Sequence, residues 1–213
     1  MGSKKRPVRK QQAWNKGLEV VQRDGFTPTQ VKRIRRLLAD RGVSGLRELA
    51  LFSTAIDTML PAWELLNLAV KGVQRRDGTI RSIIEVARTG RKEPIRCALS
   101  KVTADALGKW ITASDKQRSD YIFPGRGRLS QGPMTVRQFS RLLKTWVAEV
   151  GLDTRKYGIE SLRRTKALHI LNGTGDLETV RVLLGHAKIE STANYLHVTR
   201  KSDPIAICRA FDI

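Results

Sequence analysis

Apolar residues recur at helical spacing along most of this chain and alternate in only one short region. That pattern predicts a mostly helical α+β fold. From Pro28, the run TQVKRIRRLLADRG puts Val31, Ile34, Leu37 and Leu38 on one side and Lys32, Arg33, Arg35 and Arg36 on the other. Thr27 and Pro28 suit the N-cap and first helical position, and Gly42 supplies a stop. Residues 45–59, GLRELALFSTAIDTM, are strongly apolar and predict the central core helix. Leu60-Pro61 interrupts it, and Pro61 can open a further helix through AWELLNLAV. Between Val70 and Val86 the spacing shifts toward two. VKGVQ and TIRSIIEVA predict strands around an Asp77-Gly78 turn, and a third strand follows through Ile95 and Ala98 after Thr89-Gly90. The expectation is a small three-stranded antiparallel sheet.

Helices return afterwards. TADALGKWIT (103–112) turns Ala106, Leu107, Trp110 and Ile111 inward, and Ser114 to Ser119 reads as a polar linker. YIFPGRGRLSQGPM reads as a loop, with Tyr121 to Phe123 as an apolar strand end. Thr135 caps VRQFSRLLKTWVAEVG, whose Phe139, Leu142, Leu143, Trp146, Val147 and Val150 face inward, and Gly151 ends it. The stretch from Glu160 to Tyr195 then reads as two helices and a turn. Leu162, Ala167, Leu168, Ile170 and Leu171 carry the first, with Arg163 and Arg164 at its start. Asn172 to Gly175 (NGTG) breaks it with residues that tolerate positive φ, Asp176 caps the second, and Gly185 ends that one just before His186.

Charge narrows the class. The chain has 213 residues, with 40 Lys and Arg against 20 Asp and Glu, for a net charge of +20. Such an excess favours a polyanion, because each phosphate neutralised releases counterions. There is no long apolar run and no signal peptide, so a cytoplasmic location, nucleoid-associated in a bacterium, is expected and no membrane partner. Cys97 and Cys208 lie far apart without metal-ligand spacing, and no phosphate-cradling glycine motif occurs. No metal and no cofactor are expected. Residues 1–24 form a basic, apolar-poor arm; contact with phosphates and simple disorder both fit it.

Three side chains near the end carry reaction chemistry. Arg163 offers a planar fork of donors matched to phosphate oxygens. His186 can donate to a phosphate or move a proton near neutral pH. Tyr195 can attack phosphorus. Singly, each residue type is commoner as a surface cation, a helix-end group or an interface aromatic.

Together, LRRTKA, LLGH and a tyrosine nine residues after the histidine resemble the C-terminal signature of the tyrosine recombinase (phage integrase) family. The resemblance implies a tyrosine-recombinase-like catalytic domain over residues 25–198, with the tail 199–213 docking on a neighbouring protomer or packing in cis. It further implies that the separate DNA-clamping domain carried by many members is missing here. It makes Arg163 the second catalytic arginine, His186 the late histidine and Tyr195 the nucleophile. The family's other positions are altered. Pro61 stands where the first arginine belongs, Glu160 replaces the first histidine, and Arg88 occupies the hairpin lysine position, with Lys92 close enough to deputise.

The resemblance implies binding of double-stranded DNA and site-specific recombination or integration through a 3′-phosphotyrosine. Neither step needs a metal or cofactor, because the bond energy stays in the covalent intermediate. Candidate DNA contacts are Lys4, Lys5, Arg6, Arg9 and Lys10 in the arm, Arg33 and Arg36 on the first helix, and Arg88 and Arg91 at the hairpin. Arg126, Arg128, Arg164 and Lys166 complete the set. The expected partners on DNA are further copies or related recombinases. The loss at Pro61 keeps a second reading open: a DNA-binding regulator or accessory partner that cleaves nothing.

Overall fold

Ala50 to Leu60 is buried without a break, and the rest of the chain is arranged around this segment. The structure, a computed structural model, describes residues 24–87, 94–125 and 132–197. The helix at the centre is α2 (Leu46–Thr58), preceded by α1 (Pro28–Asp40) and a 3-10 turn at Gly42–Gly45. After it come α3 (Ala62–Leu66), α4 (Val70–Val73), β1 (Ile83–Val86), β2 (Ile95–Ala98), α5 (Lys101–Ala113) and α6 (Val136–Glu149). The last described elements are α7 (Ile159–Thr174), α8 (Leu177–Leu184) and α9 (Ile189–Leu196).

An all-round buried helix must satisfy its polar side chains internally, and α2 does so. Thr54 and Thr58 donate to the carbonyls one turn back, Ala50 and Thr54. The Glu48 carboxylate accepts from the Trp146 indole at 2.7 Å and from Arg41, and Arg41 also pairs with Glu149. One guanidinium thus ties the end of α1 to α2 and α6. Thr27 and Thr135 each form a full capping box, with Gln30 and Gln138 as the reciprocal partners. Arg35, expected on the outer face of α1, is half-buried instead and donates to Ser53 on α2.

Among the described residues the sheet has two strands rather than three. β1 and β2 pair antiparallel, with Ile84 opposite Cys97 and Glu85 opposite Arg96. The expected first strand folds as the single turn α4, because its apolar positions Val70 and Val73 are three apart and both fully buried. Its amides are also claimed elsewhere: Val70 donates to the Asp120 carbonyl and Lys71 to that of Arg118. What remains of the pairing is one bridge, Gln74 to Ile80, across a turn held by Asp77 and Thr79.

Two apolar clusters result. The larger runs from Phe26 through α2, α5 and α6 to Leu162, with Phe26 stacked on Tyr157 at 4.5 Å. The smaller joins Met59, Ala167, Val180, Leu184 and Leu196, and so binds the end of α2 to α7, α8 and α9. Among the described residues, no helix is long and apolar enough to cross a membrane.

Candidate active site

Helix α7 supplies most of the site from its first two turns. Its start is fixed where the Gly158 amide donates to the Ser161 hydroxyl at 3.0 Å. Glu160, Arg163 and Arg164 then fall on neighbouring positions of one helical face, three and four residues apart. At the far end, Gly175 takes a left-handed conformation, φ 69°, and its amide closes onto the Leu171 carbonyl. Asp176 caps α8 by accepting from the amides of Glu178 and Thr179. A second left-handed glycine, Gly185 at φ 71°, ends α8. The next residue is held through its backbone, since the His186 amide donates to the Arg181 carbonyl and the Arg181 guanidinium to the His186 carbonyl.

These turns bring Arg163, His186 and Tyr195 together, along with Glu160 and Arg164. Arg163 is clamped by main chain: Nε donates to the Met59 carbonyl at 2.8 Å and a terminal nitrogen to that of Leu184 at 2.7 Å. The imidazole of His186 lies 3.0 Å from the Thr192 hydroxyl through Nδ1 and meets the Tyr195 ring edge-on at 5.5 Å. Tyr195 is half-buried across α7, with the Arg163 guanidinium 5.5 Å and that of Arg164 4.9 Å from its ring centre. Its hydroxyl is 3.1 Å from the Glu160 carboxylate and 3.3 Å from the Glu160 carbonyl.

Burial of the hydroxyl, followed by the negative charge of Glu160, pushes the Tyr195 phenol well above its ordinary range, against the pull of Arg163 and Arg164. The resting tyrosine is therefore protonated at neutral pH and already hydrogen-bonded to a carboxylate able to take its proton. Chemically, the cluster offers a nucleophilic oxygen, a base, a fixed guanidinium and an imidazole. Among the described residues, no group of three or more His, Cys, Asp or Glu side chains is placed to hold a metal ion.

Pro61 is the N-cap of α3, two residues beyond the carbonyl that holds Arg163, and it brings no donor to the cluster. Arg33 and Arg36 are exposed on the outer face of α1. Lys166 points inward: its ammonium donates to the Asp57 carbonyl at 2.9 Å and lies 3.5 Å from the Asp57 carboxylate. Arg164 is buried, only 7% exposed. Arg88, Arg91, Lys92, Arg126, Arg128 and the arm residues Lys4, Lys5, Arg6, Arg9 and Lys10 lie outside the described residues, as does the tail 199–213.

Some contributors were not singled out by sequence. The Met59 and Leu184 carbonyls are main-chain groups and leave no residue-type signal. Arg137, Arg141 and Lys144 of α6 line a groove of about 640 Å³ with Gly158, Ile159 and Glu160. Their spacing along α6 is that of one helical face, and it is the signal that would have found them.

Known proteins resemble this chain in sequence and in fold. Tyrosine recombinase XerD of Haemophilus ducreyi is 32% identical over 157 residues, covering 73% of this chain and 51% of the relative. XerD of Listeria monocytogenes is 31% identical over 179 residues, covering 78% and 56%. The chain thus spans about half the length of the curated relatives it matches. Among solved structures, XerA recombinase superposes with a TM-score of 0.68 at 21% identity, covering 90% of this chain and 66% of that one. The catalytic domain of bacteriophage HP1 integrase superposes with a TM-score of 0.54 at 18% identity, covering 90% and 96%. Residues 25–202 match the phage integrase family as a whole, and the chain belongs to that family.

Proposed function

We propose that this chain breaks and rejoins strands of double-stranded DNA in site-specific recombination, with Tyr195 as the nucleophile. The observation that carries the reading is the contact of Tyr195 with Glu160, His186 and the two arginines of α7. The relatives named XerD are tyrosine recombinases, and XerH is described bound to its difH substrate before and after cleavage.

In the proposed step the Tyr195 oxygen attacks phosphorus, a P–O bond to tyrosine forms, and the bond to the 5′ oxygen breaks. The tyrosine proton passes to the Glu160 carboxylate, 3.1 Å away. This transfer resolves the cost of a carboxylate beside DNA, because Glu160 loses its negative charge as charge grows on the phosphoryl oxygens. Arg163 stabilises that charge from a position set by two carbonyls, so little reorganisation is needed during reaction. His186, oriented by Thr192, donates to a phosphoryl oxygen. The leaving 5′ oxygen takes its proton from a cation, the role expected of Lys92. Arg137, Arg141 and Lys144 carry the adjoining DNA backbone along the α6–α7 groove.

Pro61 favours a second reading, in which the chain binds DNA without cutting it. A nicked suicide substrate separates the two. Wild type should give a covalent protein–DNA adduct on a denaturing gel, and Tyr195→Phe should give none. Salt-sensitive binding with no adduct from either protein would establish the non-cleaving reading.

A further inference from the structure

Arg164 is the feature of this site that the proposed chemistry does not yet use. Its side chain is 7% exposed, and a guanidinium is costly to bury unless its surroundings stabilise the charge. The face of the Tyr195 ring, 4.9 Å from the guanidinium carbon, is one such stabiliser. Arg163 stands slightly farther off, at 5.5 Å, with two of its donors committed to the Met59 and Leu184 carbonyls. Arg163 is thus fixed by main chain, and Arg164 lies nearer the aromatic ring.

We propose that Arg164 is a positioning residue for the nucleophile, holding the Tyr195 ring across α7 and favouring loss of its hydroxyl proton. The inference rests on the reading of Tyr195 as nucleophile, and it deepens that reading. A cation against the ring stabilises the phenolate more than the phenol. It opposes the burial and the Glu160 charge that hold the proton on. Glu160 and Arg164 are one turn apart on α7 and act on opposite ends of the same side chain, the carboxylate at the hydroxyl and the guanidinium at the ring. With proline at position 61, the described structure places its two guanidiniums against Tyr195 from consecutive residues of a single helix.

The test reads the tyrosine itself and does not depend on cleavage. A fluorinated tyrosine is placed at position 195, where its more acidic hydroxyl can be titrated by fluorine NMR in the full chain. Arg164→Met and Arg164→Gln remove the charge, and Arg164→Lys keeps it. The neutral variants should raise the titration midpoint by about 1 pH unit or more, and the lysine variant should stay within a few tenths of the parent. An unchanged midpoint in a folded neutral variant would overturn the proposal. Failure of both neutral variants to fold, beside a native lysine variant with a shifted midpoint, would also overturn it, by assigning Arg164 to packing alone. Adduct formation on the suicide substrate is scored separately. A chain that never forms adduct yet shows the midpoint shift loses the recombinase reading, and with it the nucleophile that Arg164 would position; only the effect of Arg164 on the hydroxyl proton is kept.

Discussion

The hydroxyl of Tyr195 and the carboxylate of Glu160 are 3.1 Å apart, joining α9 to the first turn of α7. If that carboxylate takes the proton during attack, Glu160→Gln should slow adduct formation by about 10²–10⁴. The pH dependence carries the sign. Because the Tyr195 phenol is held above its ordinary value, pre-ionised tyrosine is scarce at neutral pH. Wild type, with a base in contact with the hydroxyl, should vary little between about pH 7 and 9. The glutamine variant must wait for ionisation and should accelerate about tenfold per pH unit. Parallel pH profiles for the two proteins would remove Glu160 from the chemistry.

Pro61→Arg would place a guanidinium at the start of α3. The backbone there, φ −54° and ψ 146°, is open to arginine. The cost of losing proline is about 0.4–1 kcal/mol through the unfolded chain. If the site is otherwise competent, adduct should form about 10²–10³ faster, measured on the same nicked substrate against a thermal melt. A stable variant with no gain would mean that the new side chain does not reach the phosphate.

Asp57 and Lys166 join the end of α2 to α7. Burial disfavours the Asp57 carboxylate, but hydrogen bonds from Thr103 and Ser100 and the Lys166 charge outweigh it and hold the group below its ordinary range. A carboxyl group depressed by folding adds stability above its unfolded value, near 3.9, and that stability fades as pH falls through the lower folded value. Asp57→Asn should therefore cost about 1.5–3 kcal/mol at neutral pH. The gap to wild type should close below about pH 4 in denaturant titrations. A gap independent of pH would show that packing rather than charge is at stake.

Met59 occupies the left-handed region, φ 51°, while its side chain is 4% exposed in the smaller cluster. Met59→Gly would relieve roughly 1–2 kcal/mol of backbone strain but give up about 2–5 kcal/mol of packing. Packing outweighs strain over most of that range, and the variant should be less stable by roughly 0–4 kcal/mol. The carbonyl that holds Arg163 survives the change, so adduct formation per folded molecule should hold near wild type.

Much of this was legible in advance where local chemistry alone decides. Thr27, Thr135 and Asp176 cap helices because their side-chain oxygens reach nearby amides, and Gly175 and Gly185 end helices because they accept positive φ. The family resemblance singled out Arg163, His186 and Tyr195, and the fold brings these three side chains together. What escaped depends on partners far along the chain. Val70 to Gln74 looked like a strand until Arg118 and Asp120 claimed its amides. Lys166 was expected to contact DNA, but its ammonium is tied to Asp57, 109 residues away. The contact between Glu160 and Tyr195 is likewise one of tertiary geometry, and residue type at position 160 suggested only a loss.

The smaller apolar cluster has a consequence for motion. α8 and α9 have eight residues each, too short to persist as helices once detached. Their anchorage is the group around Met59, Ala167, Val180, Leu184 and Leu196, while the large cluster secures α2 independently. Opening the small group should cost less than unfolding the body, so amides of α8 and α9 should exchange hydrogen well before those of α2. On the proposed reading the nucleophile therefore sits in the part of the fold that opens first, while the framework beneath it stays folded.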